Sequence, residues 1–242
     1  MNNQSAGQDS EINVVTGADE AYALPLATML HSLLSNVKER ASVNVYLMDG
    51  GFTSATRRRL TRLAKQHDAV LSLAWMVPDV STFADLPTLP YLSPVTYARL
   101  LLPDLFPNLD RAIYLDADVV VQEDVTDLWQ TELNGAPLGA VQDFGVPTVG
   151  AAYGIRAYED LGLDASQEYF NAGVLLLDLT ALRDWGLSER AVTYLTDYAD
   201  ELRIADQEAL NVAVQDRWPR LDPKWNLTTE FLDARPASRP VP

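Results

Sequence analysis

Apolar positions follow two periods along the first third of the chain. Short apolar runs at 12–16, 43–48 and 70–75 read as strands. Between the first two, residues 22–36 place Leu26, Met29, Leu30, Leu33 and Leu34 on one face of a helix. Pro25 falls in its first turn, where a missing N–H is tolerated. Thr53 or Ser54 can cap a basic helix reaching about His67, whose Arg57-Arg58-Arg59 run reads as a solvated face. His31, within the first helix, is expected to pack and not to ligate. Strand, helix, strand, helix, strand predicts an α/β fold with a mostly parallel central sheet flanked by helices.

The pattern then loosens. Residues 78–94 are proline-rich and read as a long loop of the kind that carries function. Residues 96–102 form a predicted short helix bearing Arg99. Farther on, 138–142 and 174–177 are predicted buried strands, and Asp143 ends the first. The glycine-rich stretch 145–162 reads as a lid. Residues 187–202 and 206–214 are predicted helices. Asp206-Gln207-Glu208 opens the second, where the helix end favours acidic groups. The ends, 1–10 and 232–242, read as a flexible tail and a loose tail around a single domain at 11–231.

One stretch departs from simple patterning. In Arg111-Ala112-Ile113-Tyr114-Leu115-Asp116-Ala117-Asp118-Val119-Val120-Val121 an apolar run ends in two carboxylates and resumes. On an extended chain residues i and i+2 point to the same side, so Asp116 and Asp118 would converge past small Ala117. Paired carboxylates at a buried strand end need a cation or donors. Mg²⁺ and Mn²⁺ are the usual partners of such oxygen ligands. The competing reading is an acidic turn that caps a helix. The Gly17-Ala18-Asp19-Glu20 turn after the first strand has the same two readings, a ligand-facing βα loop or a cap formed by Asp19.

Composition narrows the partners. The 242 residues, 48% of them hydrophobic, suit one large domain. With 34 acidic and 18 basic residues the net charge is -16, which argues against nucleic acid and against an electrostatic membrane anchor. The absence of cysteine excludes disulfides, thiol catalysis and thiolate metal sites. No apolar run reaches transmembrane length. The expectation is a cytoplasmic protein that meets a membrane only through its acceptor.

Five stretches, in order, carry a family resemblance: Val14-Val15-Thr16-Gly17-Ala18-Asp19, Thr96-Tyr97-Ala98-Arg99-Leu100, Tyr114-Leu115-Asp116-Ala117-Asp118, Tyr169-Phe170-Asn171-Ala172-Gly173-Val174 and Ala205-Asp206-Gln207-Glu208. Together they resemble the family 8 retaining glycosyltransferases, the group of glycogenin and the bacterial lipopolysaccharide galactosyltransferases and glucosyltransferases. The resemblance implies a GT-A type nucleotide-diphospho-sugar transferase fold. It implies a UDP-sugar donor, UDP-galactose or UDP-glucose, and a saccharide or glycolipid acceptor. It implies Mn²⁺ (or Mg²⁺) on Asp116 and Asp118, with Ala117 beside the donor. Gly17 and Asp19 would face the uracil and Tyr22 would stack on it, while Ala21 stands where the family often has Asn. Arg99 would bind the donor. Asn171, Ala172, Asp143, Asp206 and Gln207 would line the sugar and acceptor side. Gln207 suits internal return, whereas Asp206 or Asp143 would permit double displacement.

The family's late His-x-x-Gly-x-x-Lys-Pro-Trp segment, which supplies a further metal ligand and a phosphate-binding lysine, is not among these 242 residues. The expectation from that is UDP and Mn²⁺ binding with poor transfer, or a sugar-nucleotide binding protein. A haloacid dehalogenase-type phosphatase, with Asp116 as nucleophile, is a further alternative.

Overall fold

The computed structural model describes residues 10–38, 41–84, 86 and 93–229. The expected tails, Ser10 apart, and residues 85 and 87–92 of the proline-rich stretch lie outside these residues. Along the chain come β1 (Ser10–Ala18), α1 (Ala23–Asn36), β2 (Ala41–Asp49), α2 (Ser54–Ala64), β3 (Val70–Met76), α3 (Leu102–Leu105), β4 (Arg111–Leu115) and α4 (Val125–Trp129). They are followed by β5 (Leu138–Gln142), β6 (Phe170–Asp178), α5 (Leu179–Trp185), α6 (Leu187–Asp197) and α7 (Ala205–Val214). The chain divides into two compact units, residues 1–78 with 112–132, and residues 79–111 with 133–242.

In the first unit the strands pair in parallel, β1 with β2 and β4, and β2 with β3. Parallel strands are covered on both faces, so they read as continuous apolar runs. Ile12, Val14 and Val15 of β1 and Val43, Val45, Leu47 and Met48 of β2 are buried accordingly. The five predicted residues of α1 are all buried. Thr53 caps α2, its hydroxyl accepting from Thr56 N at 3.2 Å. Leu33 is fully buried, so Leu33→Ala should cost about 2–5 kcal/mol through lost transfer energy and the cavity left behind. Denaturant unfolding checks this, and an unchanged midpoint contradicts it.

The second unit holds the antiparallel pair β5–β6. Its register slips between Ala140, which faces Leu175, and Val141, which faces Asn171. Residues 172–174 of β6 therefore have no direct partner on β5. Such bulges re-aim backbone groups, and this one lies on Ala172-Gly173-Val174, next to Asn171.

Several expectations need correction. The strand at 111–121 stops at Leu115 and does not resume. Val119 to Val121 make no strand because side chains of α1 take up the backbone: Val121 N donates to Ser32 Oγ at 3.0 Å, and Asn36 Nδ2 donates to Val121 O at 2.9 Å. The helix expected over 187–202 ends at Asp197, where Tyr198 leaves helical geometry, and a 3-10 turn follows at Ala199–Glu201. The 145–162 stretch is irregular but tied down. Val149 N donates to Gln167 O, Ile155 N to Val149 O, and the Arg203 guanidinium to Ala152 O. Among the described residues no helix is long and apolar enough to cross a membrane.

Candidate active site

The site residues fall into two sets, one in each unit. The first set gathers at the carboxyl ends of β1 and β4, the edge of a parallel sheet where open α/β folds bind ligands. The β1–β4 register, Val14 beside Ile113 and Val15 beside Tyr114, runs on towards Gly17 and Asp116. Asp19 follows β1 and caps a 3-10 turn, its Oδ1 accepting from Ala21 N at 3.0 Å and Tyr22 N at 3.3 Å. Oδ2 of Asp19 has no hydrogen bond among the described residues, which leaves it available to a ligand. Tyr22 is 43% exposed, a large ring on the surface. Asp116 is half-buried, Ala117 buried and Asp118 exposed. Because β4 stops at Leu115, the two carboxylates sit in a turn, and the extended-strand argument for their convergence does not apply. Tyr114, itself buried, braces Asp116 by donating its hydroxyl to Oδ1 at 3.0 Å.

The second set is a buried polar network. Arg99 comes from the 3-10 helix Pro94–Leu101 and is 9% exposed. Its Nε lies 2.9 Å from Oδ2 of buried Asp206, and its guanidinium donates to Ala172 O at 3.1 Å. Asp143 follows β5. Its Oδ1 accepts from Gly145 N and Val146 N, each at 2.9 Å. Its Oδ2 accepts from Asn171 Nδ2 and Gln207 Nε2, each at 3.0 Å. Gln207 Oε1 accepts from Ala172 N at 2.9 Å, which fixes the amide at both ends. The structure thus brings Arg99, Asp143, Asn171, Ala172, Asp206 and Gln207 together through direct hydrogen bonds and one ion pair.

Sequence reasoning did not find the supports of this network. Asn211, one turn after Gln207 on α7, accepts from Phe170 N at 2.9 Å and donates to Phe170 O at 2.9 Å, fastening α7 to β6. Its spacing of four from Gln207 was the available signal. Glu208 is fully buried and caps α7 by accepting from Ile204 N at 2.6 Å and Arg203 N at 2.7 Å, while Tyr194 donates to its other oxygen at 2.9 Å. Burial pushes the Glu208 carboxyl above its usual 4.5, against the lowering pull of the Ile204 amide, the Tyr194 hydroxyl and the Arg203 amide. Burial, with Glu208 beside it, also pushes the Tyr169 phenol well up.

A carboxyl raised in the folded state adds stability that is complete below 4.5 and is lost as pH rises through the folded value. Glu208→Gln has no such titration. The stability lost on making Glu208→Gln should therefore shrink as pH rises from 4.5 through the folded value. Denaturant unfolding of both proteins at each pH checks it, and a constant difference contradicts it.

His31, expected to pack, is exposed, and its only ring neighbour among the described residues is His67, whose Nε2 lies 3.2 Å from His31 Nδ1. The arginine run is only partly solvated: Arg57 Nε pairs with buried Asp49 Oδ2 at 2.5 Å, while Arg58 and Arg59 are exposed. Among the described residues no three His, Cys, Asp or Glu side chains cluster as a self-sufficient cation site. Asp116, half-buried, and Asp118, exposed, both offer oxygen donors in the turn after β4. That fits a hard divalent ion completing its shell with water and ligand oxygens.

A family model described as Glycosyl transferase family 8 matches residues 13–241. The chain belongs to this family. That sets aside the phosphatase alternative, and glycosyl transfer is the class of reaction that family membership supports. General stress protein A of Bacillus subtilis (strain 168) is 27% identical over 229 residues, covering 93% of this chain and 77% of that protein. Lipopolysaccharide 1,2-glucosyltransferase of Escherichia coli (strain K12) is 29% identical over 205 residues, covering 84% of this chain and 58% of that enzyme. Among solved structures, the galactosyltransferase LgtC in complex with donor and acceptor sugar analogs superposes with a TM-score of 0.75 at 26% identity, covering 88% of this family 8 chain and 74% of LgtC. An active-site mutant of LgtC with glutamate in place of a glutamine superposes equally, at 25% identity. The fold is accordingly of the GT-A type, α/β with mostly parallel strands.

Proposed function

We propose that this chain transfers a hexose from a UDP-sugar to an acceptor hydroxyl with retention at the anomeric carbon, aided by Mn²⁺ or Mg²⁺. The observation that carries the reading is the Asp116-Ala117-Asp118 turn at the carboxyl end of parallel β4, in a chain that belongs to family 8. Asp116 and Asp118 would hold the ion together with the donor diphosphate. When bound, the ion would draw off negative charge that builds on the departing UDP. Asp19, through Oδ2, and Tyr22 offer an acceptor and a stacking face to the base, beside the backbone of Gly17. Arg99 would add positive charge on the donor side.

Galactose and glucose are the sugars favoured, since the similar LgtC is a galactosyltransferase and the similar Escherichia coli enzyme a glucosyltransferase. The acceptor would be a saccharide or glycolipid. Asp143 accepts four hydrogen bonds and Asp206 is paired with Arg99. A carboxylate so engaged is a weakened nucleophile, which favours internal return over double displacement. Gln207, with its amide fixed by Asp143 and Ala172, then serves to orient the sugar and the attacking hydroxyl. The active-site glutamine of LgtC supports this assignment.

The test is a thermal-shift panel of UDP-galactose, UDP-glucose, other UDP-sugars and GDP- and ADP-sugars, with and without Mn²⁺. The reading expects stabilisation by UDP-sugars that grows with Mn²⁺. A shift with no UDP compound, or equal shifts without the ion, contradicts it.

A further inference from the structure

We propose that Asn226 is a positioning residue for glycosyl transfer, acting through Asn171 on the Asp143–Gln207 pair. It rests on the UDP-sugar reading of that pair. The observation is a continuous chain of hydrogen bonds. Asn226 Nδ2 donates to Asn171 Oδ1 at 2.8 Å, and Asn171 Nδ2 donates to Asp143 Oδ2 at 3.0 Å. Gln207 Nε2 donates to the same Asp143 oxygen at 3.0 Å, and Ala172 N donates to Gln207 Oε1 at 2.9 Å.

Polarity makes the chain directional. An amide has a donor end and an acceptor end of nearly equal size, so its neighbours choose which way round it lies. Asn171 Oδ1 receives two donors, Gly173 N at 2.9 Å and Asn226 Nδ2. This forces Nδ2 of Asn171 towards Asp143. With the opposite orientation Asn171 would set an oxygen against the Asp143 carboxylate, and the shared anchor of Gln207 would be repelled. Asn226 thus supplies one of the two donors that fix Asn171.

The segment that carries Asn226 is built to hold it still. Leu221 N donates to Ala140 O of β5 at 2.8 Å. Asp222 caps the 3-10 turn Pro223–Trp225 by accepting from Lys224 N at 2.9 Å, and Asn226 N closes that turn on Pro223 O at 3.1 Å. β5 leads directly into Asp143, so Asn226 and Asp143 both follow segments fastened to one strand. Asn226 is half-buried, which limits competition from water for its short bond to Asn171.

The test compares wild type, Asn226→Ala and Asn226→Asp for UDP-sugar turnover, UDP affinity and pH dependence. Asn226→Ala removes one donor. Asn226→Asp is nearly isosteric but, ionised, offers only acceptors, so it favours the wrong orientation of Asn171. We expect kcat to fall about tenfold in the first and further in the second, with affinity for UDP alone within about twofold of wild type. Protonated Asp at 226 can donate again, so the turnover ratio of Asn226→Asp to Asn226→Ala should rise as pH falls from about 7 to about 4. A residue that only fills space gives no such pH-dependent ratio. If wild type turns over and both variants match it, or the ratio is flat with pH, this proposal is overturned alone. If wild type releases UDP from no UDP-sugar, the donor reading falls and takes this proposal with it.

Discussion

Asp118→Asn should weaken UDP binding in the presence of Mn²⁺ by about tenfold or more while leaving metal-free UDP binding nearly unchanged. The loss of one charged contact to a bound ion is worth at least ~1.4 kcal/mol, which is a factor of ten. The side chain lies exposed in the turn after β4, so the substitution should shift the melting temperature little. Asp116 carries a second duty, because Tyr114 donates to it from the core. Asp116→Asn should therefore show the same loss of metal-dependent affinity together with a measurable stability cost. Calorimetric titration with and without Mn²⁺ reads both variants. Equal affinities for wild type and Asp118→Asn in Mn²⁺ would remove the metal role from this turn.

The second large effect concerns stability. Asp206→Ala should destabilise the protein by about 3–5 kcal/mol, a fall in melting temperature on the order of ten degrees. Arg99 is 9% exposed and Asp206 4% exposed, so deleting the carboxylate strands a guanidinium away from water. Breaking such a pair costs far more than the pair itself contributes, because the guanidinium keeps the Ala172 carbonyl but loses its anionic partner where little water can replace it. Arg99→Lys should be milder in stability, since an ammonium can still face Asp206, but it cannot also reach Ala172 O in the guanidinium's geometry. The double replacement Arg99→Met with Asp206→Leu should recover much of the stability lost by Asp206→Ala alone. Denaturant unfolding of these variants and wild type checks this, and a double variant as unstable as Asp206→Ala would contradict it.

Patterning made the first unit legible because its elements are set by local periodicity. The apolar face of α1 and the runs of β1 and β2 follow from spacing and burial alone. The two carboxylates after β4 were legible as a pair, since an apolar run seldom ends so without reason. Their geometry was not. Whether Val119 to Val121 extend the strand depended on Ser32 and Asn36 of α1, which capture the backbone of Val121. The second unit hid more. Arg99 and Asp206, or Asn171 and Asn226, are far apart in sequence, and polar residues in a buried network carry no period. The slip in β5–β6 that leaves Ala172-Gly173-Val174 as a bulge is likewise invisible in a run of apolar residues. His31 misled for a simpler reason: a histidine on an apolar helix can point to either side, and this one points out to meet His67.

The most direct measurement is proton NMR of the purified chain with Mn²⁺ and UDP-galactose or UDP-glucose, following UDP release and the anomer of the liberated or transferred sugar before mutarotation. Retaining transfer predicts UDP formed together with the α-anomer, and loss of both signals in Asp118→Asn. Release of the β-anomer first, or no UDP from either donor under conditions where the wild-type chain is folded, would contradict the account.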